Sequence, residues 1–302
     1  MNEKALINFL WKYGYFWKYD SGKDLNESAI ESIHLSHPAV VDAVRAWQEA
    51  DANFDLLARV VHNRGVIADG GVGPVTEAML SVPRCDVPDF QSPETVYRFN
   101  AEATGSGSWP VPGCDPTQTT THSIRVALDT AACPTTVKSY LTQSLAAVSA
   151  AYAEIGLAVR YLLHAGGTAP DCEIRKRFES LSGSVIGWNE FPDPGTCNQT
   201  IEGRLDTGYA PSDWRMFANL ECHETGHGVG LQHGNGSIMN PSIMLVWPLT
   251  WVGTYSYANL KRWFGGEPIG EKPPDPPVPP TGDHNGIVVI DGVLYKSRFW
   301  RA

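Results

Sequence analysis

No apolar run in this 302-residue chain approaches the roughly 20 residues that a membrane-spanning helix requires, so no span is expected. Positive charge is scarce as well. The 23 Lys and Arg stand against 33 Asp and Glu, a formal net charge of -10. That balance argues against a nucleic-acid partner, which would call for a basic face. No secretory leader is expected at the start of the chain, where Trp11, Lys12, Tyr13 and Gly14 stand in place of a long apolar region and a small-residue cleavage site. The composition also lacks the signature of disorder, since 42% of residues are hydrophobic and 10% aromatic. Cysteines are few, at 85, 114, 133, 172, 197 and 222. In an oxidising compartment six cysteines allow up to three bridges, whose pairing spacing alone does not assign.

What is present divides the chain into unequal parts. Residues 1 to about 90 read as a small helical domain. Ala5, Leu6, Phe9, Leu10 and Tyr13 recur at helical spacing, as do Val40, Val41, Val44 and Trp47. Asp69-Gly70-Gly71-Val72-Gly73-Pro74 is turn chemistry, after which Val75 to Leu80 resumes a short helix. Residues 91–120, rich in Pro, Gly, Ser and Thr, read as an exposed connection. From about 121 the pattern is mixed. Strands are expected at Ser123 to Leu128, Leu157 to Leu163 and Glu173 to Phe178, with edge strands at Ser184 to Phe191 and Thr200 to Leu205. A long helix fits Val137 to Ile155 and stops at Gly156. A second opens at Pro211-Ser212-Asp213, with Ser212 as the expected N-cap. A third fits Tyr255 to Phe264. Lys272 to Pro280 reads as a stiff linker, and Ile287 to Ile290 with Val293 to Tyr295 as a hairpin around Asp291-Gly292. No long internal repeat is visible.

The chemistry is concentrated in His223-Glu224-Thr225-Gly226-His227-Gly228-Val229-Gly230-Leu231-Gln232-His233. Residues four apart share one helix face with a rise of about 6 Å, so His223 and His227 can share one metal. Glu224 then stands beside a water that the metal polarises and can take its proton. His233 reaches the same metal only if the helix ends and the chain turns back. Gly230, free to adopt positive φ, supplies the turn. Three protein ligands leave a fourth position open, the mark of a catalytic rather than a structural zinc site. With this composition, Gly at 230 and His at 233 coincide by chance roughly once in 350, which sets the pattern apart from a helix with surface histidines.

This pattern resembles the metzincin metallopeptidases, in which a tight methionine-containing turn lies beneath the metal. Ser237-Ile238-Met239-Asn240-Pro241 stands where that turn falls, six residues past His233. A methionine by itself would more often be core filling. The resemblance further implies that Ser242 to Trp247 forms the outer wall of a substrate pocket.

Pro83-Arg84-Cys85-Asp86-Val87-Pro88-Asp89 is similar to the segment with which matrixin precursors hold a cysteine over the catalytic zinc. The resemblance implies that Cys85 is a metal ligand in the precursor only and that Arg84 and Asp89 form an ion pair. The bland reading of Cys85 is a disulfide cysteine in a proline-rich linker. If Cys85 is the blocking thiolate, five cysteines remain. Cys222 inside the metal helix is then the free one, and the other four form two disulfides. Leu10 to Phe16, Ala43 to Gln48 and Asp69 to Thr76 resemble the peptidoglycan-binding-like fold of matrixin propeptides. This sequence departs from the family at Asp86, where glycine is usual, and at Gly234, where animal members carry serine. No second, structural zinc site is found around His122 or His164, and no calcium site is legible. Asp275, Asp283 and Asp291 read as solvated loop residues.

The expectation is therefore an α+β chain. A small all-α prodomain (1–90) is followed by the connection (91–120), a metzincin-type catalytic domain (121–267) and a proline-rich linker with a hairpin tail (268–302). The catalytic domain would hold a mixed twisted sheet, a long helix, a metal-binding helix and a methionine turn. The function expected is a latent zinc endopeptidase acting on a protein or peptide substrate outside the cell. Two rivals stand beside it. In one, residues 1–80 bind bacterial cell wall and the chain is a peptidoglycan-directed, phage-associated hydrolase. In the other, the chain is a non-catalytic attachment protein that retains zinc, a role for which Glu224 has no use.

Overall fold

The computed structural model describes residues 2–22, 24–90, 123–191, 200–231, 233, 238–243 and 247–251, together with the backbone of strands 284–290 and 293–299. Cys114, His122, Cys197, the helix expected at Tyr255 to Phe264, the proline-rich linker, Asp275, Asp283 and Asp291 lie outside the described residues. The fold is mixed α/β, with seven helices and a six-stranded, mostly parallel sheet among the described residues. No helix among them is long and apolar enough to cross a membrane.

Five helices come first: α1 (Glu3–Lys12), α2 (Glu27–Ile30), α3 (Pro38–Ala50), α4 (Asn53–His62) and α5 (Pro74–Met79). Each major start has a local cause. The Asn2 side chain accepts from Ala5 N to cap α1, and α3 opens with Pro38 at its first turn, where a missing N–H costs nothing. The helical spacing of Leu6, Leu10, Val40, Val44 and Trp47 carries all of them into one core, with Phe54 edge-on to Trp47 at 4.8 Å between ring centroids.

The second part is built on the sheet, in the order β1 (Arg84–Cys85), β5 (Val185–Asn189), β6 (Ile201–Asp206), β4 (Ile174–Glu179), β2 (Ser123–Asp129), β3 (Ala158–His164). The β1–β5, β2–β3, β2–β4 and β4–β6 pairs are parallel, and β5–β6 is antiparallel. Helix α6 (Thr135–Glu154) connects the parallel pair β2 and β3. It stops where Gly156 takes φ 88°, with Gly156 N donating to Ala153 O and Leu157 N to Tyr152 O, a left-handed cap. Helices α6 and α7 (Trp214–Gly228) pack together, and Val148, Tyr152, Ala218 and Cys222 join Ile124, Val126, Ile174 and Ile201 in one core.

Two expectations need correction. Strand β6 is interior rather than an edge, flanked by β4 and β5, and β5 is closed by β1, so the sheet's edges are β1 and β3. Alternation reveals which face of a strand is buried but not which strands are its neighbours. The cap of α7 is Asp213, whose carboxylate accepts from Arg215 N and Met216 N, whereas Ser212 Oγ lies 3.0 Å from Met216 Sδ. The tail forms a separate antiparallel pair, β7 (His284–Ile290) and β8 (Val293–Phe299).

Candidate metal centre

Helix α7 carries His223 and His227 on one face, one turn apart, and their Nε2 atoms are 3.1 Å apart. The helix ends on a left-handed cap: Gly230 takes φ 90°, Gly230 N donates to His227 O (2.8 Å) and Leu231 N to Gly226 O (2.9 Å). The reversed chain brings His233 Nε2 to 3.2 Å from His227 Nε2. Cys85 completes the group, and the four candidate ligand atoms all lie within 4.8 Å of one another.

The outer faces of the rings show what the group is suited to. His223 Nδ1 is 2.8 Å from Ile238 O and His227 Nδ1 is 2.7 Å from Leu231 O. Donation of each Nδ1–H to its carbonyl leaves Nε2 as the lone-pair atom, so acceptor nitrogens converge on one point, as metal-binding histidines do. Burial lowers His223 to about 4 and drives His227 and His233 well below the ordinary histidine range, so all three rings favour the neutral, ligating form. His233 Nδ1 also lies 2.7 Å from Asp89 Oδ1. Burial and the Glu224 carboxylate push the Cys85 thiol well above its usual range, so a thiolate there needs a cation in contact. This buried Cys and three-His group can hold a metal ion.

Glu224 is fully buried beside the group, with Oε2 3.7 Å from Cys85 Sγ and Oε1 lacking a hydrogen-bond partner among the described residues. Burial first, opposed by the charge of Lys176, pushes it up to about 8. Gly187 of β5 makes room for it: a Cβ there would stand 2.5 Å from Glu224 Oε1. Met239 lies under the helix where a Cβ on Gly226 would meet its Sδ at 2.5 Å, and Ile238 of the same turn supplies the carbonyl that orients His223.

Cys85 is delivered by a strand. Arg84 N donates to Ser184 O and Asp86 N to Gly187 O, both at 3.0 Å, which lays β1 along β5. On the other side Cys85 N donates to Pro241 O (3.2 Å) and Ile243 N to Pro83 O (3.0 Å). The segment 83–86 thus fills the slot between the sheet edge and residues 241–243. Arg84 and Asp89 are paired at 3.0 and 3.1 Å with both side chains buried. The guanidinium stacks on the Tyr13 ring, 3.5 Å from its centroid, and Tyr15 OH donates to Asp89. Asp86, the departure from glycine, is tied to α1: it accepts from Tyr13 OH (3.1 Å) and pairs with Lys12.

The residue types also hid one feature. Lys176 and Glu221, both fully buried, pair at 2.8 Å between β4 and α7. Lys176 Nζ also donates to Thr225 Oγ1 (2.8 Å), and Tyr161 OH donates to Glu221 Oε1 (3.0 Å). The signal was present in the alternation of β4, where Lys176 takes an inward position between Ile174 and Phe178.

Other candidates stay outside the group. His164, at the end of β3, has Nδ1 3.3 Å from Gly166 O. Cys222 is a buried free thiol, as expected, and among the described residues Cys133 and Cys172 are free thiols too, while Cys114 and Cys197 lie outside them. No protein-family model matches the chain, and neither does any curated protein.

Proposed function

We propose that this chain is a zinc endopeptidase of metzincin type, similar to the matrixins and held latent by its own N-terminal helical unit. One observation carries the reading: a buried carboxylate, Glu224, stands beside three converging histidines whose fourth partner is a cysteine on an added strand. Three imidazoles and a thiolate whose ligand atoms all lie within 4.8 Å of one another are a donor set suited to zinc. Zinc, when bound, supplies Lewis acidity toward the scissile carbonyl and the attacking water.

The remaining steps belong to the chain's residues. Glu224 takes the proton from the attacking water and passes it to the leaving amine nitrogen. The slot between β5 and residues 241–243 suits an extended peptide, which would pair with main-chain groups on both sides as residues 83–86 do now. Latency follows from the same contacts: Cys85 occupies the position that water needs, and its strand occupies the peptide's slot. The many contacts of the N-terminal unit to this slot favour an inhibitory role over independent cell-wall binding.

The test is cleavage of a peptide library by chain treated with a thiol-modifying mercurial and nicked within 91–122 by an added protease, with zinc assayed. Cleavage with about one zinc per chain, abolished in Glu224→Gln with zinc retained, is the expected result. Undiminished cleavage by Glu224→Gln would refute the assignment.

A further inference from the structure

A second set of contacts joins the helical unit to the unit that carries the histidines. Asp51 and Ala52, the turn between α3 and α4, together with Asn53 at the start of α4, sit on Asn240 and Ser242, just after Met239. Ala52 N donates to Asn240 Oδ1 (3.2 Å), and Asn240 Nδ2 donates to Asp51 Oδ1 (3.1 Å). Ser242 Oγ donates to Asp51 Oδ2, and Asn53 Nδ2 donates to Ser242 O (3.3 Å). Asp51, Asn240 and Ser242 are each 1% exposed, so these polar groups have exchanged water for one another. The turn is stiff in its own right: Asp51 N donates to Trp47 O in the helical core, and Asn53 N donates to Asp51 Oδ1.

None of these bonds involves Cys85 or a histidine. Residues 240–243 are therefore gripped twice, by the strand 83–86 through main-chain bonds and by the 51–53 turn through a buried carboxylate. Hydrogen bonds to a buried charged group are among the stronger polar contacts, and separating the two units leaves the Asp51 carboxylate and the Asn240 amide to find new partners.

We propose that the Asn240–Ser242 segment is a docking surface for the Asp51–Asn53 turn, a second latch that keeps the helical unit seated after the thiol has left the metal. The inference rests on the latency reading above. It assigns two separate conditions to activation: loss of the Cys85 contact opens the metal, and release of the Asp51 turn opens the wall.

The experiment uses the full chain as Cys85→Ala, alone and combined with Asp51→Ala or Asn53→Ala. Hydrogen exchange across 240–243 and 51–54 is followed beside peptide cleavage. Cys85→Ala alone is expected to keep the protection of both segments and to cleave slowly. Adding Asp51→Ala speeds exchange at 240–243 by roughly tenfold or more and raises cleavage by a similar factor. Asn53→Ala, which leaves the Asp51 carboxylate in place, moves both readouts in the same direction by less, and it carries the test if Asp51→Ala unfolds the helical unit. Full exposure of 240–243 and full cleavage in Cys85→Ala alone, with nothing added by either second change, overturns the latch. If the exchange behaves as stated while no variant cleaves, the docking stands and the peptidase reading fails.

Discussion

Replacing Lys176 with methionine removes one charge from a pair in which neither side chain is exposed. Glu221 Oε1 would keep its bonds from Tyr161 OH (3.0 Å) and Thr225 Oγ1 (3.1 Å), but Oε2 has no hydrogen-bond partner among the described residues, and the carboxylate would face the core without a cation. Stranding one member of a buried pair costs about 3–5 kcal/mol, so Lys176→Met should lower the thermal midpoint of the sheet-bearing unit by roughly 6–20 °C. Lys176→Met with Glu221→Leu removes both charges, and the double variant should return to within about 1–2 kcal/mol of the parent. Guanidinium and thermal unfolding of the parent, both single variants and the double variant supply the cycle. A Lys176→Met cost below about 1 kcal/mol, or a double variant no better than the worse single one, would refute the idea that the pair works as a buried, mutually dependent unit.

Three further outcomes follow from the site. Gly187→Ala places a methyl group against the Glu224 carboxylate, so it should keep metal and stability but reduce cleavage by about 10²-fold, checked by kcat beside zinc content. Gly230→Ala forces a side chain into φ 90°, a strain of about 1–2 kcal/mol at the turn that returns His233, and should weaken metal binding in a chelator competition. Stripping the metal with a chelator should lower the unfolding midpoint of the parent, and His227→Ala should abolish that difference, because a ligand bound only by the folded state stabilises it by mass action. An identical midpoint with and without chelator would count against a bound metal.

The parts of the site that were readable in the sequence are those encoded within one or two helical turns. His223, Glu224, His227, Gly230, His233 and Met239 fall in one short stretch, where spacing on a helix and a glycine stop determine geometry directly. Helix α6 was legible for the same reason, down to its glycine cap. The contacts that escaped are those between distant segments. Lys176 and Glu221 are 45 residues apart, and Asp51 and Ser242 are 191 apart, so only the folded chain brings them together. Single-residue choices between equivalent groups were also unreadable: Ser212 and Asp213 can both cap a helix, and the backbone register selected Asp213. Cysteine state was equally unreadable from spacing: among the described residues Cys133 and Cys172 bury their thiols singly.

The strand at Arg84–Cys85 has a consequence for solubility and folding. Its hydrogen bonds occupy one margin of the six-stranded sheet, where the carbonyls of Ser184 and Gly187 would otherwise face outward unpaired. An open margin of that kind recruits strands from other molecules. The chain thus finishes the sheet with a piece of itself while synthesis and folding raise the risk of self-association. On the latency proposed above, activation would remove that cover, and the mature form should then be the more aggregation-prone of the two, with a lifetime limited by how soon another strand occupies the vacated margin.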